Sequence, residues 1–158
     1  TMTQNSEIMI HAARLGNLEV LRELINQNTD VNTRDGKGYT PLIIACYNNK
    51  LAAAQLLLEA GADVNAQDNG GNTALMGVAF KGYHDIAKLL IGYGANLNLQ
   101  HGNGGTALMF AAMFGRNEVL KLLLDNGANT RLLDTRGLSV LDLAAQQGND
   151  TALTLLQH

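Results

Sequence analysis

The chain has almost no cysteine or proline and no tryptophan. Its 158 residues include a single cysteine, Cys46, and a single proline, Pro41. One cysteine cannot form an internal disulfide or build a thiolate metal site by itself, so a disulfide-stapled fold is excluded. With 17 glycines, the turns must be made mainly by glycine, which adopts a left-handed backbone without steric cost. We therefore expect many short, similar turns.

The chain also lacks a surplus of positive charge and a long apolar run. Its formal net charge is -3, whereas binding to nucleic acid or to an anionic membrane requires an excess of lysine and arginine. No apolar stretch approaches the roughly 20 residues of a membrane span, and the first residues show no signal-peptide pattern. We therefore expect no nucleic acid and no membrane as partner, and a cytoplasmic location. Export of a chain whose leader has been removed is the alternative.

Three landmarks recur along the chain at a spacing of 33 residues. A Gly-x-Thr/Ser-x-Leu segment occupies residues 38–42, 71–75, 104–108 and 137–141. A cluster of leucine and isoleucine occupies 56–58, 89–91 and 122–124, and a Gly-Ala segment occupies 61–65, 94–98 and 127–131. Counting back once more reaches a degenerate first copy near Glu7. A fixed spacing of tens of residues indicates a stack of repeated units.

Each copy contains the signals of two short helices. A threonine or serine precedes the first apolar segment, where its hydroxyl can accept from a free amide of the first helical turn. Pro41 follows Thr40 at the first helical position, where its missing N–H costs nothing. The first helix carries small residues that permit close approach, and the second carries the leucines. Because one unit cannot bury this surface alone, stacking must bury it.

The Thr-Pro-Leu and Gly-Ala-Asp-Val-Asn segments resemble those of the ankyrin-repeat family. The resemblance covers about residues 6–157 and implies an all-α solenoid of five stacked helix-turn-helix units with hairpin-like turns between repeats. We predict one domain, 1–158, with repeats at about 2–34 (N-terminal cap), 35–67, 68–100, 101–133 and 134–158 (C-terminal cap). Glu23 and Gln157 replace apolar residues at the two ends, as the polar outer faces of terminal repeats require.

The chain departs from the family pattern in three respects. The family's histidine after the leucine is absent from all five copies, which leaves open how neighbouring loops are hydrogen-bonded. The aspartate that opens the turn is present at Asp35, Asp68 and Asp134 but is replaced by His101 in the fourth copy. Gly77 lies inside a predicted first helix, at a cost of about 1 kcal/mol relative to alanine, and close packing is the expected reason.

The residues give no pattern typical of catalysis or metal binding. The Gly-rich stretch 102–105 lies in a turn and lacks the Lys-Ser/Thr of a phosphate-binding loop. The four histidines, at positions 11, 84, 101 and 158, fall at unrelated positions of the repeat and form no ligand pattern. Cys46 is expected to be a buried, inert thiol. We therefore predict that the chain is not an enzyme and has no cofactor and no metal site.

Partner identity must reside in the positions that vary between copies. In ankyrin-like repeats these are the hairpin tips, the exposed side of the first helix and the end of the second helix, which together form a concave groove. Transferred to this chain, they predict a partner-binding set: Tyr39, Tyr47, Asn48, Phe80, Lys81, Tyr93, Met113, Phe114, Leu138 and Arg14. Five of the seven aromatic residues fall in this set, and aromatic side chains are preferred anchors of protein interfaces. The alternative is that Phe80, Met113 and Phe114 pack within the protein.

The resemblance thus implies a monomeric module that binds a partner protein through its groove, as a scaffold, an inhibitor or a protective partner. The alternatives are a protein that binds a small molecule or a peptide ligand, and a host-directed bacterial effector. The bacterial alternative rests on Thr-Ala-Leu-Met at residues 73–76 and 106–109, a variant similar to that of short stand-alone bacterial ankyrin proteins.

Overall fold

Residues 3–157, which the computed structural model describes, form ten helices and no strand. The predicted domain limits at residues 1, 2 and 158 lie outside the described residues. The helices follow one another in five pairs: α1 (Gln4–Leu15) and α2 (Leu18–Asn26), α3 (Pro41–Tyr47) and α4 (Leu51–Glu59), α5 (Ala74–Lys81) and α6 (His84–Gly92), α7 (Ala107–Met113) and α8 (Asn117–Asp125), α9 (Val140–Gln146) and α10 (Asp150–Leu156). The predicted all-α stack of helix-turn-helix units is confirmed.

The first helices of the pairs form one layer and the second helices form another. The first helices of the first four pairs share a small, fully buried residue at one repeat position: Ala13, Cys46, Ala79 and Ala112. The second helices of these pairs share a buried leucine: Leu24, Leu57, Leu90 and Leu123. Because small side chains allow a closer approach than leucine does, the first-helix layer is packed more tightly. The stack therefore curves toward the first helices, which carry the concave face.

The predicted threonine caps are confirmed in all three central copies. The hydroxyl oxygens of Thr40, Thr73 and Thr106 accept from the backbone N–H three residues ahead, at 3.2, 3.1 and 3.2 Å. All three threonines are buried, so their hydroxyls satisfy amides that have no access to water. Each cap sets where a first helix begins and so aligns the helices across the stack.

Neighbouring loops are joined by polar side chains other than the family's histidine. Asn32 Oδ1 accepts from the backbone N–H of Asp63 at 2.8 Å, and Asn65 and Asn98 repeat this contact one copy further along. A second row of side chains donates to the carbonyl oxygen of the equivalent position in the next copy: Arg34 to Gln67, Gln67 to Gln100, and Gln100 to Leu133. Asparagine, glutamine and arginine side chains thus join neighbouring loops in this chain, which lacks the family's histidine.

The aspartates that open the turns accept backbone hydrogen bonds within their own hairpins. In the last copy, Asp134 Oδ1 accepts from the N–H of Leu138 at 3.0 Å and from the N–H of Arg136 at 2.9 Å. The bond from Leu138 is the main cause that holds the pKa of Asp134 below its usual range, and the Arg136 side chain lowers it further. The ionised carboxylate therefore stabilises the fold at pH values above the usual carboxyl pKa. This stabilisation is lost as the pH falls from that value through the lowered pKa of the folded chain.

His101 takes the place of the aspartate in the fourth copy and makes the same type of bond. Its Nδ1 accepts from the backbone N–H of Gly105 at 2.8 Å. The ring also lies edge-on to Phe110, with centroids 5.1 Å apart. An imidazole nitrogen thus accepts the hairpin bond where three other copies use a carboxylate oxygen.

We expect His101→Ala to lower the melting temperature and His101→Asp to preserve or raise it. The alanine leaves the buried amide of Gly105 without its acceptor, at a cost of about 1 kcal/mol or more, whereas aspartate restores an acceptor. Thermal melts followed by circular dichroism measure both effects. Equal melting temperatures for His101→Ala and the natural chain would contradict the stabilising role of the Nδ1 acceptor.

The two ends of the stack expose both polar and apolar side chains. Glu23 and Gln157 are exposed, at the places where polar ends are predicted. Leu141, however, is 43% exposed, although the leucine at its position in the three preceding copies is buried beneath the next unit. The outer surface of the last unit is therefore less polar than a cap requires.

Candidate functional site

Three aromatic rings form a row on the concave face. Tyr47 and Phe80 occupy the same repeat position at the ends of α3 and α5, and Phe114 directly follows α7. The rings of Tyr47 and Phe80 are parallel within 3°, with centroids 6.4 Å apart, and Phe114 meets Phe80 edge to face at 4.6 Å. Tyr47 and Phe114 remain 43% exposed. We call these three residues the aromatic strip.

Basic side chains border the aromatic strip. The Lys81 ammonium lies 4.6 Å from the centroid of the Tyr47 ring and 5.9 Å from that of Phe80, within the range of a cation–π attraction. Arg116 donates from Nε to the carbonyl oxygen of Phe80 at 2.9 Å, which satisfies an otherwise free carbonyl at the end of α5. The strip thus combines apolar rings with positively charged edges.

A pocket of about 500 Å³ opens beside the aromatic strip, and Gly77 is one of its lining residues. The other copies hold His11, Ile44, Phe110 and Leu143 at this repeat position, so α5 alone contributes no side chain there. A Cβ added to Gly77 would lie 3.2 Å from Cδ1 of Tyr47. The glycine that weakens α5 as a helix thus lets the Tyr47 ring pack closely against that helix at the pocket wall.

A second pocket of about 390 Å³ lies one unit further along the stack. Phe110 lines both pockets, with Met113 and His101 on the side of the second. The hairpin residues Asp134 and Arg136 close the far wall of the second pocket, and they form an ion pair at 2.8 Å. The concave face therefore holds two adjacent depressions divided by one aromatic ring.

The structure brings most of the predicted partner-binding residues together. Those that line the first pocket are Arg14, Tyr39, Tyr47, Asn48 and Phe80. Lys81 and Phe114 contact the strip, and Met113 lines the second pocket while packing partly on the core.

Two predicted residues lie apart from this cluster. Tyr93 follows α6 in the layer of second helices, where it is 42% exposed. Leu138 is half-buried and packs against the core. Neither lines a pocket of the concave face.

Sequence reasoning missed Gly77 and Phe110 as residues that shape the site. The sequence does contain a signal for them, because the same repeat position holds glycine in the third copy and phenylalanine in the fourth. This signal is found only by comparing side-chain volumes at one repeat position across the copies. Ile43 and Met76, which stand where the family has its histidine, also line the first pocket.

The described residues offer no assembled centre for metal chemistry and no membrane span. Within residues 3–157, no three side chains of histidine, cysteine, aspartate and glutamate gather as metal ligands. None of the helices in the same range is both long and apolar enough to cross a membrane. Cys46 is fully buried, and burial raises the pKa of its thiol from 9.0 to about 12. A thiol with a raised pKa and no exposure is a poor nucleophile.

We expect Cys46→Ala to fold like the natural chain and to resist alkaline pH better. Alanine occupies this position in all four other copies. In the natural chain the thiol ionises less readily when folded than when unfolded. The free energy of unfolding therefore keeps its full value below the thiol pKa of the unfolded chain and falls as the pH rises from there toward about 12. At about pH 10 the natural chain should lose about 1 kcal/mol more than the variant. Urea unfolding at neutral and alkaline pH tests this, and identical alkaline losses would show that the thiol does not contribute.

Comparison with known families gives one match. A family model for ankyrin repeats (3 copies) matches the chain twice, over residues 8–101 and 75–158. The two matches overlap and together cover nearly all of the chain, including both pockets and the aromatic strip. No curated protein matches the chain.

Proposed function

We propose, from the premise that this chain belongs to the ankyrin-repeat family, that it binds a partner protein through its concave face. Ankyrin repeats are generally protein–protein interaction modules, and ankyrin-repeat proteins are typically not enzymes. The binding site in this proposal is the aromatic strip with the first pocket. Its role is that of a scaffold, an inhibitor or a protective partner, and we place it in a monomer.

One observation carries the proposal: the aromatic strip is exposed although it consists of large apolar rings. Tyr47 and Phe114 contact Phe80, yet each leaves 43% of its surface open. Rigid rings with few rotatable bonds lose little entropy on binding and are enriched at interface hot spots. A contiguous apolar patch on a monomer commonly marks an interaction site.

Packing within the protein is the competing explanation for these residues, and it fits some of them better than others. Met113 and Leu138 pack against the core, so their apolar character is accounted for by stability. Phe80 is half-buried between the two outer rings of the strip. The exposed rings of Tyr47 and Phe114 are the part of the site that packing does not explain.

A small ligand is a second candidate, because the volume of the first pocket favours it. At about 500 Å³, the pocket falls within the range of roughly 300–1,000 Å³ that is usual for small-molecule sites. Its surface is mainly apolar, which is also typical of such sites. Phe114 does not line the pocket, however, and a small molecule bound there would leave this exposed ring uncovered.

Affinity capture from a lysate of the source organism, followed by amide hydrogen exchange on the purified complex, tests the proposal. We expect a captured protein that increases protection at the C-terminal ends of α3, α5 and α7, because those ends carry the strip. The second helices α4, α6 and α8 should keep their exchange rates. Repeated capture of a low-molecular-weight compound and no protein would overturn the proposal, and so would protection confined to the second helices.

A further inference from the structure

We propose that the partner of the concave face is an acidic protein segment that inserts one apolar side chain into the pocket at Gly77. In this arrangement a carboxylate beside the inserted side chain meets Lys81 and Arg14. The inference rests on the proposed function and specifies the chemistry of the partner.

The charges of the chain are separated by layer. The central first helices α3, α5 and α7 contain no aspartate or glutamate, whereas every second helix contains at least one. A protein with a net charge of -3 therefore presents a concave face whose central helices carry no negative side chain. Like charges across an interface cost free energy, and opposite charges guide association. This face therefore favours an acidic partner over a basic one.

The basic groups at the pocket are not neutralised within the protein. Among residues 3–157, neither Arg14 nor Lys81 takes part in an ion pair; the pairs that form are His84–Asp85, Lys121–Asp125 and Arg136–Asp134. Arg14 lies in the last turn of α1 and lines the pocket. Lys81 is held above the Tyr47 ring, so a carboxylate that meets its ammonium would order little additional chain.

The acidic residue of the pocket wall is already occupied by its own hairpin. Asp68 Oδ1 accepts from the backbone N–H of Gly70 and of Asn72, both at 2.9 Å, and from the Asn72 side chain at 3.2 Å. These donors hold Oδ1 against its own hairpin, and Oδ2 accepts one longer bond from the Asn72 side chain at 3.3 Å. Lys81 and Arg14 are the charged groups of the site that make no hydrogen bond or ion pair with other residues of 3–157.

The first pocket has room for an inserted apolar side chain. Gly77 lines it without a side chain of its own, whereas Ile44 and Phe110 on the neighbouring first helices line it with theirs, so an apolar group from outside would lie between these two side chains. An inserted aromatic or aliphatic anchor, surrounded by contacts that exclude water, is the usual arrangement of an interface hot spot. The Tyr47 ring forms one wall, and the Lys81 ammonium lies over this ring, so the anchor and the carboxylate must be close together in space on the partner.

Selection from a random peptide phage library tests this inference on the intact chain. Four proteins serve as targets: the natural chain, Arg14→Glu with Lys81→Glu, Gly77→Leu, and a matched control with Arg22→Glu and Lys88→Glu. The control makes the same change in net charge on exposed residues of the second helices α2 and α6. A fifth target, Phe80→Ala with Phe114→Ala, reports whether selected peptides use the aromatic strip.

We expect peptides selected on the natural chain and on the control to be rich in aspartate and glutamate next to an aromatic or aliphatic residue. On Arg14→Glu with Lys81→Glu the acidic bias should give way to lysine and arginine. A synthetic peptide from the natural selection should bind that variant on the order of tenfold more weakly, and Gly77→Leu should remove the preference for the apolar anchor.

The outcomes separate this inference from the proposed function. One contrary result is a set of peptides that require Phe80 and Phe114 without being rich in acidic residues. Another is a set that is equally acidic on the natural chain and on Arg14→Glu with Lys81→Glu. Either result overturns the acidic partner and leaves the proposed function standing. Peptides that bind equally well without the aromatic strip overturn both, as does a selection that yields no binder of the natural chain.

Discussion

A chain that carries Phe80→Ala and Phe114→Ala should lose about a hundredfold or more in affinity for its partner while staying folded. Truncating an aromatic hot spot costs about 2 kcal/mol or more of binding free energy, and these two rings contact each other within the aromatic strip. Phe114 is 43% exposed and Phe80 half-buried, so the loss of stability should be about 1 kcal/mol. Isothermal titration calorimetry and thermal melts measure the two effects separately.

The matched control for this variant is Leu51→Ala with Tyr93→Ala. These side chains are 40% and 42% exposed, and they belong to the second-helix layer, so they remove similar apolar surface from the other side of the stack. The control should bind like the natural chain. If the Phe80 and Phe114 variant instead melts tens of degrees lower, the two rings belong to the core and the interpretation of the strip as an interface is wrong.

The fold could be predicted from the sequence because a solenoid depends only on contacts between neighbouring units. The residues that create those contacts recur with the repeat. Thr40, Thr73 and Thr106 begin equivalent helices, and a small residue follows at the same distance in each copy. A pattern repeated in register therefore specifies both the helices and their order in the stack.

The aromatic strip could be predicted only in part. Tyr47 and Phe80 share a repeat position, so stacking alone places them near each other. Phe114 falls one position later, and its edge-to-face contact with Phe80 depends on side-chain rotation, which spacing does not specify. For Tyr93 and Leu138, the repeat position indicated variability but not whether the side chain faces the groove, the solvent or the core.

The pocket could not be predicted from motifs. Motif comparison looks for residues that recur, whereas the pocket is lined by residues that differ between copies, such as Ile44, Gly77 and Phe110 at one repeat position. The sequence indicated that Gly77 costs its helix stability, but it did not indicate a cavity or its volume. A glycine that costs stability and lines a pocket on the face proposed to bind fits the general conflict between stability and function.

Gly104→Ala should be among the most destabilising single methyl additions in the chain. Gly104 has a φ of +82°, and a Cβ at this position would lie 2.7 Å from Asp134 Cα and 2.8 Å from the backbone nitrogen of Thr135. The neighbours are backbone atoms that cannot turn aside, and Thr135 N–H also donates to Asn103 O at 3.0 Å. Left-handed strain and steric overlap together should cost about 3 kcal/mol or more, which lowers the melting temperature by on the order of 10 °C.

Gly137→Ala separates the two causes, because it lies at the same repeat position one copy later. Its φ is +80°, but no atom outside its own neighbourhood lies within 4 Å of an added Cβ. It should therefore cost only the left-handed strain, about 1 kcal/mol, and the difference between the variants measures how tightly successive hairpins stack. Because contacts in a solenoid are between neighbours, hydrogen exchange in Gly104→Ala should quicken first in α9 and α10. Equal melting temperatures for the two variants would mean that the hairpins separate easily, and that the rigidity of the concave face comes from the helices alone.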